Sequence, residues 1–216
     1  MMKKMKKKRR KWFGVKMAFS LVMFLCLLMW TGAVWAADYN PLPDTGQTKC
    51  YDEDIEIACP APGNDFYGQD GNYQGLPPSF TKHTNFNGTG DDVAMDNNTK
   101  LMWMTGTADI NGDGHIDDDD RVSWQDAVDF CNDLVYAGFD DWYLPDIFML
   151  LTIVNYGVWN PTIDSTVFDC ESFYYWSSST NARDANYAWQ VGFGFGSGDW
   201  DNVTHHSYVR CARDGS

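Results

Sequence analysis

The stretch Ser123-Trp124-Gln125-Asp126-Ala127-Val128-Asp129-Phe130-Cys131-Asn132-Asp133-Leu134-Val135-Tyr136-Ala137-Gly138-Phe139-Asp140-Asp141-Trp142-Tyr143-Leu144-Pro145 decides the fold. Ser123 can cap a helix, with Asp126 three residues on. Trp124, Ala127, Val128, Cys131, Leu134 and Val135 then form one apolar stripe at helical spacing, which predicts a helix over 123–137 that Gly138 ends. Pro145 is placed to open a second helix over 146–155, with Ile147, Leu150, Leu151 and Val154 inward. Upstream, 92–104 reads as a hairpin: Val93-Ala94-Met95, a turn at Asp96-Asn97-Asn98, then Leu101-Met102-Trp103-Met104. Downstream the chain is aromatic and punctuated by Gly, with strand-like pieces at 174–178, 187–195 and 207–212. Residues 37–80 are rich in Pro, Gly, Asp and Asn with little periodicity and read as an irregular lead. No internal repeat is visible. The expected architecture is one α+β domain over 81–214 behind that lead, well within single-domain size.

Between the hairpin and the first helix lies Asp109-Ile110-Asn111-Gly112-Asp113-Gly114-His115-Ile116-Asp117-Asp118-Asp119-Asp120. It reads as a twelve-residue calcium loop. Asp109, Asn111, Asp113, Asp117 and Asp120 stand at positions 1, 3, 5, 9 and 12, and His115 at position 7 would give its backbone carbonyl. Gly114 stands where such a loop turns sharply, and Ile116 can tuck into a core. Calcium needs this density of hard oxygen donors on a tightly turned backbone. Asp120 replaces the bidentate Glu of regulatory loops, a shorter arm that resembles dockerin-type extracellular modules. The loop therefore implies bound calcium.

The ends of the chain place this loop outside the cell. Residues 3–16 carry nine basic side chains and no acid, and an apolar run follows over 17–30. Val34-Trp35-Ala36 offers a cleavage site, so residues 1–36 read as a secretory signal cut after Ala36. The rival reading is an uncleaved anchor, but the apolar run is short against the roughly 20 residues a span needs. Cys26 has no lipobox before it and leaves with the signal. All 30 acidic residues and only seven basic ones follow Ala36, which leaves the mature chain near −23. A body this acidic repels nucleic acid and anionic membranes. No further apolar run is long enough to span a bilayer. The expected location is secreted, periplasmic or on the cell surface.

Five cysteines remain: Cys50, Cys59, Cys131, Cys170 and Cys211. An exported chain can keep disulfides, and no C-x-x-C or His pair suggests zinc. Cys50 and Cys59 are close enough to close a local loop. A Cys131–Cys211 link would tie the two ends of the domain together. Cys170 is then odd, and it is free, buried or used between chains.

Several segments carry a family resemblance. Leu101-Met102-Trp103, the helix bearing Trp124 and Cys131-Asn132, and Gly138-Phe139-Asp140-Asp141-Trp142-Tyr143-Leu144-Pro145 resemble the front half of the Lcl C-terminal domain family. Tyr175-Trp176-Ser177-Ser178-Ser179, Ala188-Trp189-Gln190-Val191-Gly192-Phe193 and Tyr208-Val209-Arg210-Cys211-Ala212-Arg213 resemble its back half. The lead, from Asp44-Thr45-Gly46-Gln47 to Phe66-Tyr67-Gly68-Gln69-Asp70, is similar to leads that precede such domains. The resemblance implies a C-type-lectin-like fold, with two helices packed on small antiparallel sheets and a variable loop face, in exported bacterial proteins that bind something outside the cell. It also implies a Cys131–Cys211 disulfide, because lectin-like folds often bond the first helix to the final strand. Tyr143 departs from the family pattern, which commonly has Arg after the Trp. The Glu-Pro-Asn, Gln-Pro-Asp and Trp-Asn-Asp motifs of calcium-dependent sugar-binding lectins are absent, so the implied fold does not by itself imply sugar binding.

A ligand face is expected over 180–207, where Asn181, Arg183, Asp184, Asn186, Tyr187, Asp199, Trp200, Asp201, Asn202, His205 and His206 alternate with strand-like pieces. Aromatic and short polar residues on loops suit adaptable recognition. Asn186, Tyr187, Asp199, Trp200, Asn202 and His205 are the candidate contacts, with Trp200 the anchor, and Trp176, Trp189 and Phe193 are read as core. His205 and His206 are adjacent and would point apart in a strand, which disfavours a metal pair. No G-x-S-x-G elbow, phosphate loop or H-E-x-x-H is present. The enzyme rival is a relative of formylglycine-generating enzymes, whose reactive cysteine pair would have to be Cys170 and Cys211. The sequence thus reads as a non-catalytic, calcium-stabilised protein that recognises an extracellular protein or glycan in binding or adhesion. The alternative is a structural subunit of a cell-surface assembly.

Overall fold

The computed structural model describes residues 43–73 and 75–215. The expected signal and its cleavage site lie outside the described residues. Among the described residues the fold is α+β, built from small antiparallel sheets and two short α-helices. In the lead, β1 (Cys50–Tyr51) pairs with β2 (Glu56–Ile57), and the Cys50–Cys59 disulfide closes the pair. Then β3 (Phe80–His83), β4 (Val93–Asp96), β5 (Leu101–Met104) and β9 (Ala212–Asp214) form one sheet in the order β3-β4-β5-β9. The expected hairpin is β4 and β5, in the register Val93↔Met104, Ala94↔Trp103 and Met95↔Met102. A second sheet has the order β6-β7-β8, from β6 (Tyr174–Thr180), β7 (Tyr187–Gly192) and β8 (Ser197–Asn202).

The helices are α1 (Trp124–Asp133) and α2 (Ile147–Leu151), both shorter than their sequence patterns predict. Ser123 caps α1 as expected, its side chain accepting from Asp126 N. The helix stops because tertiary contacts claim Tyr136. The Tyr136 ring packs edge-on against Trp142 at 5.5 Å, and its hydroxyl donates to Asp92 O at 2.8 Å. To place it the backbone turns at Ala137 (φ 55°) and Gly138 (φ 82°), the second of which costs glycine nothing. Val135, expected on the inward stripe, consequently lies outside the helix and is 74% exposed. Asp146, not Pro145, caps α2, accepting from Met149 N at 2.8 Å. That helix ends after a little over one turn, where Thr152 Oγ1 donates to Met149 O. Leu150 and Val154 are buried as expected, while Ile147 and Leu151 pack from the core margin.

Two apolar clusters fill the interior. One gathers Trp103, Leu150, Phe168, Tyr175, Val191 and Phe193, and α2 belongs to it. The other gathers Ala127 and Cys131 of α1 with Trp142, Trp176, Val209 and Cys211. The Cys131–Cys211 disulfide runs through the second cluster and joins α1 to the segment entering β9. Arg210, beside it, is fully buried and donates to Met104 O (2.9 Å), Thr105 O and Asp169 O (2.7 Å), its guanidinium lying over the Phe168 ring at 5.2 Å. Tyr143, where the family pattern commonly has Arg, donates its hydroxyl to Asp214 Oδ1 at 3.0 Å, and burial pushes that phenol up to about 12. Arg213 supplies the positive charge at this corner, stacked over Phe139 at 3.8 Å and bonded to both carboxylate oxygens of Asp141.

Cys170 is the free thiol among the described residues, and burial pushes its pKa up. A buried, protonated thiol reacts slowly. Non-reducing peptide mapping is expected to recover Cys131–Cys211 and Cys50–Cys59, with Cys170 alkylated once the chain is unfolded. A Cys170–Cys211 peptide would overturn this pairing.

Candidate functional site

The acidic loop folds around its own amides. Asp109 accepts from Gly112 N (2.7 Å) and Gly114 N (2.8 Å), Asn111 from Asp113 N (2.9 Å), and Asp113 from His115 N (2.8 Å). Gly112 (φ 74°) and Gly114 (φ 83°) take the left-handed turns that this winding requires. Asp117 caps the 3-10 turn Asp118–Asp120, accepting from Asp119 N at 2.9 Å. Asp120 is the exception in burial. It is fully buried, with Oδ1 accepting from Ile110 N (2.7 Å) and Asn111 N (3.3 Å) and Oδ2 from Asp117 N (3.0 Å). This carboxylate clasps the two ends of the loop together. Ile116 packs against the first core cluster, as its position predicts, and Ile110 packs against the second.

Among the described residues no three His, Cys, Asp or Glu side chains converge closely enough to hold a metal ion. The donor chemistry nevertheless suits a hard cation. Asn111, Asp113 and Asp117 are exposed and Asp109 is half-buried, and an oxygen that accepts one N–H retains a second lone pair. His115 is exposed, and its backbone N–H is held by Asp113.

The second sheet carries the expected ligand residues, but as strand rather than loop. Tyr187 belongs to β7, and Asp199, Trp200 and Asn202 to β8; only Asn186 and His205 lie on connections. Alternate residues of a strand share a face. Tyr187 and Trp189 therefore project on one side of β7, and Trp200, paired with Trp189 in the β7–β8 register, meets them there. The Trp189–Trp200 rings stand 6.3 Å apart and the Tyr187–Trp200 rings 6.4 Å apart. Exposures of 38% for Tyr187, 36% for Trp189 and 45% for Trp200 put all three on the surface. Trp176 and Phe193 are fully buried as expected, but Trp189 is not core. Strand alternation with Tyr187 was the signal in the sequence that places it outward.

The polar residues of this region are bonded locally. His205 Nδ1 contacts Asp201 Oδ1 at 2.7 Å, and Asn186 Nδ2 donates to Asp184 Oδ1 at 2.9 Å. Asn181 Oδ1 accepts from Arg183 N, and Asn202 Oδ1 from Thr204 N. His206 is exposed on the following turn.

Residues 92–213, from the start of the central hairpin to β9, match the Lcl C-terminal domain family. The match covers more than half of the chain, which belongs to this family. Membership points to a domain of the kind that bacteria export. No curated protein matches the chain. Among the described residues no helix is long and apolar enough to cross a membrane.

Proposed function

We propose that this protein is a secreted or surface-exposed, non-catalytic binding protein of C-type-lectin-like architecture. It recognises an extracellular protein or glycan through the outer face of β7 and β8. The observation that carries this reading is the exposed row of Tyr187, Trp189 and Trp200. Large aromatic side chains left on a surface strand face and clustered with each other are the kind of anchor that binding hot spots use. The acidic loop would hold calcium through Asp109, Asn111, Asp113 and Asp117 with the His115 carbonyl, while Asp120 holds the loop closed. The ion would stabilise the fold. The engagement of Cys211 with Cys131 leaves Cys170 without the cysteine partner that formylglycine-type chemistry would use, which favours binding over catalysis.

The test is a glycan and protein array probed with the purified chain, with and without calcium, repeated with Trp200→Ala. Trp200→Ala is expected to weaken capture of the array ligand by about 2 kcal/mol or more, the hot-spot range. Its melting temperature should stay near that of the parent chain, because the side chain is 45% exposed and lies on an edge strand. Unchanged capture, or a stability loss of about 3–5 kcal/mol as for a buried Trp, would refute the assignment.

A further inference from the structure

The partner class for this face follows from how the free edge of its sheet is finished. β8 is an edge strand, and antiparallel pairing leaves every second N–H of such a strand facing outward. Those of Trp200 and Asn202 are already met, by Asp199 Oδ1 and Asp201 Oδ1, both at 2.8 Å. Strand addition to this edge would have to break both bonds, so a ligand has the aromatic face to land on rather than the edge. The same two bonds decide where the charge sits. Alternation alone turns Asp199 and Asp201 to the side opposite Trp200. Bonding to the outward amides draws both carboxylates to the edge of the sheet, at the residues that flank Trp200 in sequence.

Resting on the binding-face reading above, we propose that this surface takes a basic polypeptide segment. Lysine or arginine side chains lie over the Trp189 and Trp200 rings, with Asp199 and Asp201 as their counter-charges. Indole is the best aromatic partner for a cation, and ionised carboxylates are acceptors only, which matches an ammonium or guanidinium. Arg183, on the turn before Tyr187, and His205, held by Asp201, are the basic groups nearest the face in sequence. Both are outnumbered by Asp184, Asp199 and Asp201 around it. A mature chain near −23 adds long-range attraction for a basic partner and repels polyanions.

The test titrates the purified chain with a lysine octapeptide and, separately, with cellohexaose, following tryptophan fluorescence and calorimetry. The octapeptide should bind and perturb the indoles, more weakly as salt rises, and cellohexaose should not. Asp199→Asn with Asp201→Asn keeps an oxygen for each edge amide while removing the charge. That double variant and Trp200→Ala should each lower octapeptide affinity about tenfold or more, as loss of a cation–π contact or its counter-charge implies, with unchanged melting. Octapeptide binding that ignores Trp200→Ala would be bulk charge attraction and would overturn the proposal. Cellohexaose binding without octapeptide binding would overturn it but leave the binding face standing. If neither probe binds, the proposal falls. The face itself also falls if Trp200→Ala then leaves capture of the array ligand intact.

Discussion

Arg210→Ala is expected to unfold this domain at moderate denaturant, with a stability loss of about 4 kcal/mol or more. Arg210 is fully buried and pairs with no carboxylate among the described residues; its charge is held by three main-chain carbonyls and the Phe168 ring. Those carbonyls belong to Met104 and Thr105 at the end of β5 and to Asp169 on the approach to β6. One side chain therefore ties the end of β5 to the segment that leads into the second sheet. Truncation opens a cavity, costing about 2–5 kcal/mol for large side chains, and strands buried acceptors at about 1–3 kcal/mol each. Arg210→Lys retains the charge, but a single ammonium cannot span both carbonyl sets as a planar guanidinium does. It should recover less than half of the loss. Equilibrium denaturation of the three proteins checks this, and a loss below about 1 kcal/mol in Arg210→Ala, the size of an ordinary surface change, would show that the sheets do not depend on this bridge.

Calcium is expected to raise the melting temperature by several degrees over chelator. A ligand that binds the native state alone stabilises it by about 2.7 kcal/mol at a hundred times its dissociation constant. Asp109→Ala with Asp113→Ala should abolish the difference while lowering the chelator melt only slightly, because Asp113 is exposed, Asp109 is half-buried and both are bonded only within the loop. Asp120→Ala is expected to behave differently. It removes a buried acceptor from three amides that bind both ends of the loop, and so should cost about 3 kcal/mol even in chelator, as hydrogen bonds to a charged group do. Identical melts of the parent chain in calcium and chelator would end the calcium reading. They would leave Asp120 as a clasp needing no ion.

Local signals were strong enough to locate the central elements. The β4–β5 hairpin and the start of α1 are set by strand alternation, turn residues and the Ser123 cap, all properties of neighbours in sequence. The acidic loop was legible for the same reason, because spacing and glycine placement are local. Its interior was less so: nothing near Asp120 in sequence says that this carboxylate, alone among the loop's ligand candidates, is buried against amides ten residues away.

Where each helix ended, and which aromatics faced out, depended on contacts distant in sequence. The apolar stripe continues through Val135, but Tyr136 is drawn to Asp92 and Trp142, and the helix stops short of it. Trp189 and Trp176 are similar in local composition. Alternation puts Trp189 on the same face as Tyr187, but which face is covered is decided by packing, which lays α1 over Trp176 and leaves Trp189 at the surface beside Trp200. Residues 197–202 read as loop because short polar residues surround Trp200 there, yet they form β8, since pairing with β7 and side-chain capping of the outer amides supply the hydrogen bonds that their weak strand propensity does not favour. Residue chemistry and short spacings are written in the chain itself. Which face is covered, and by what, is decided only when segments far apart in sequence pack together.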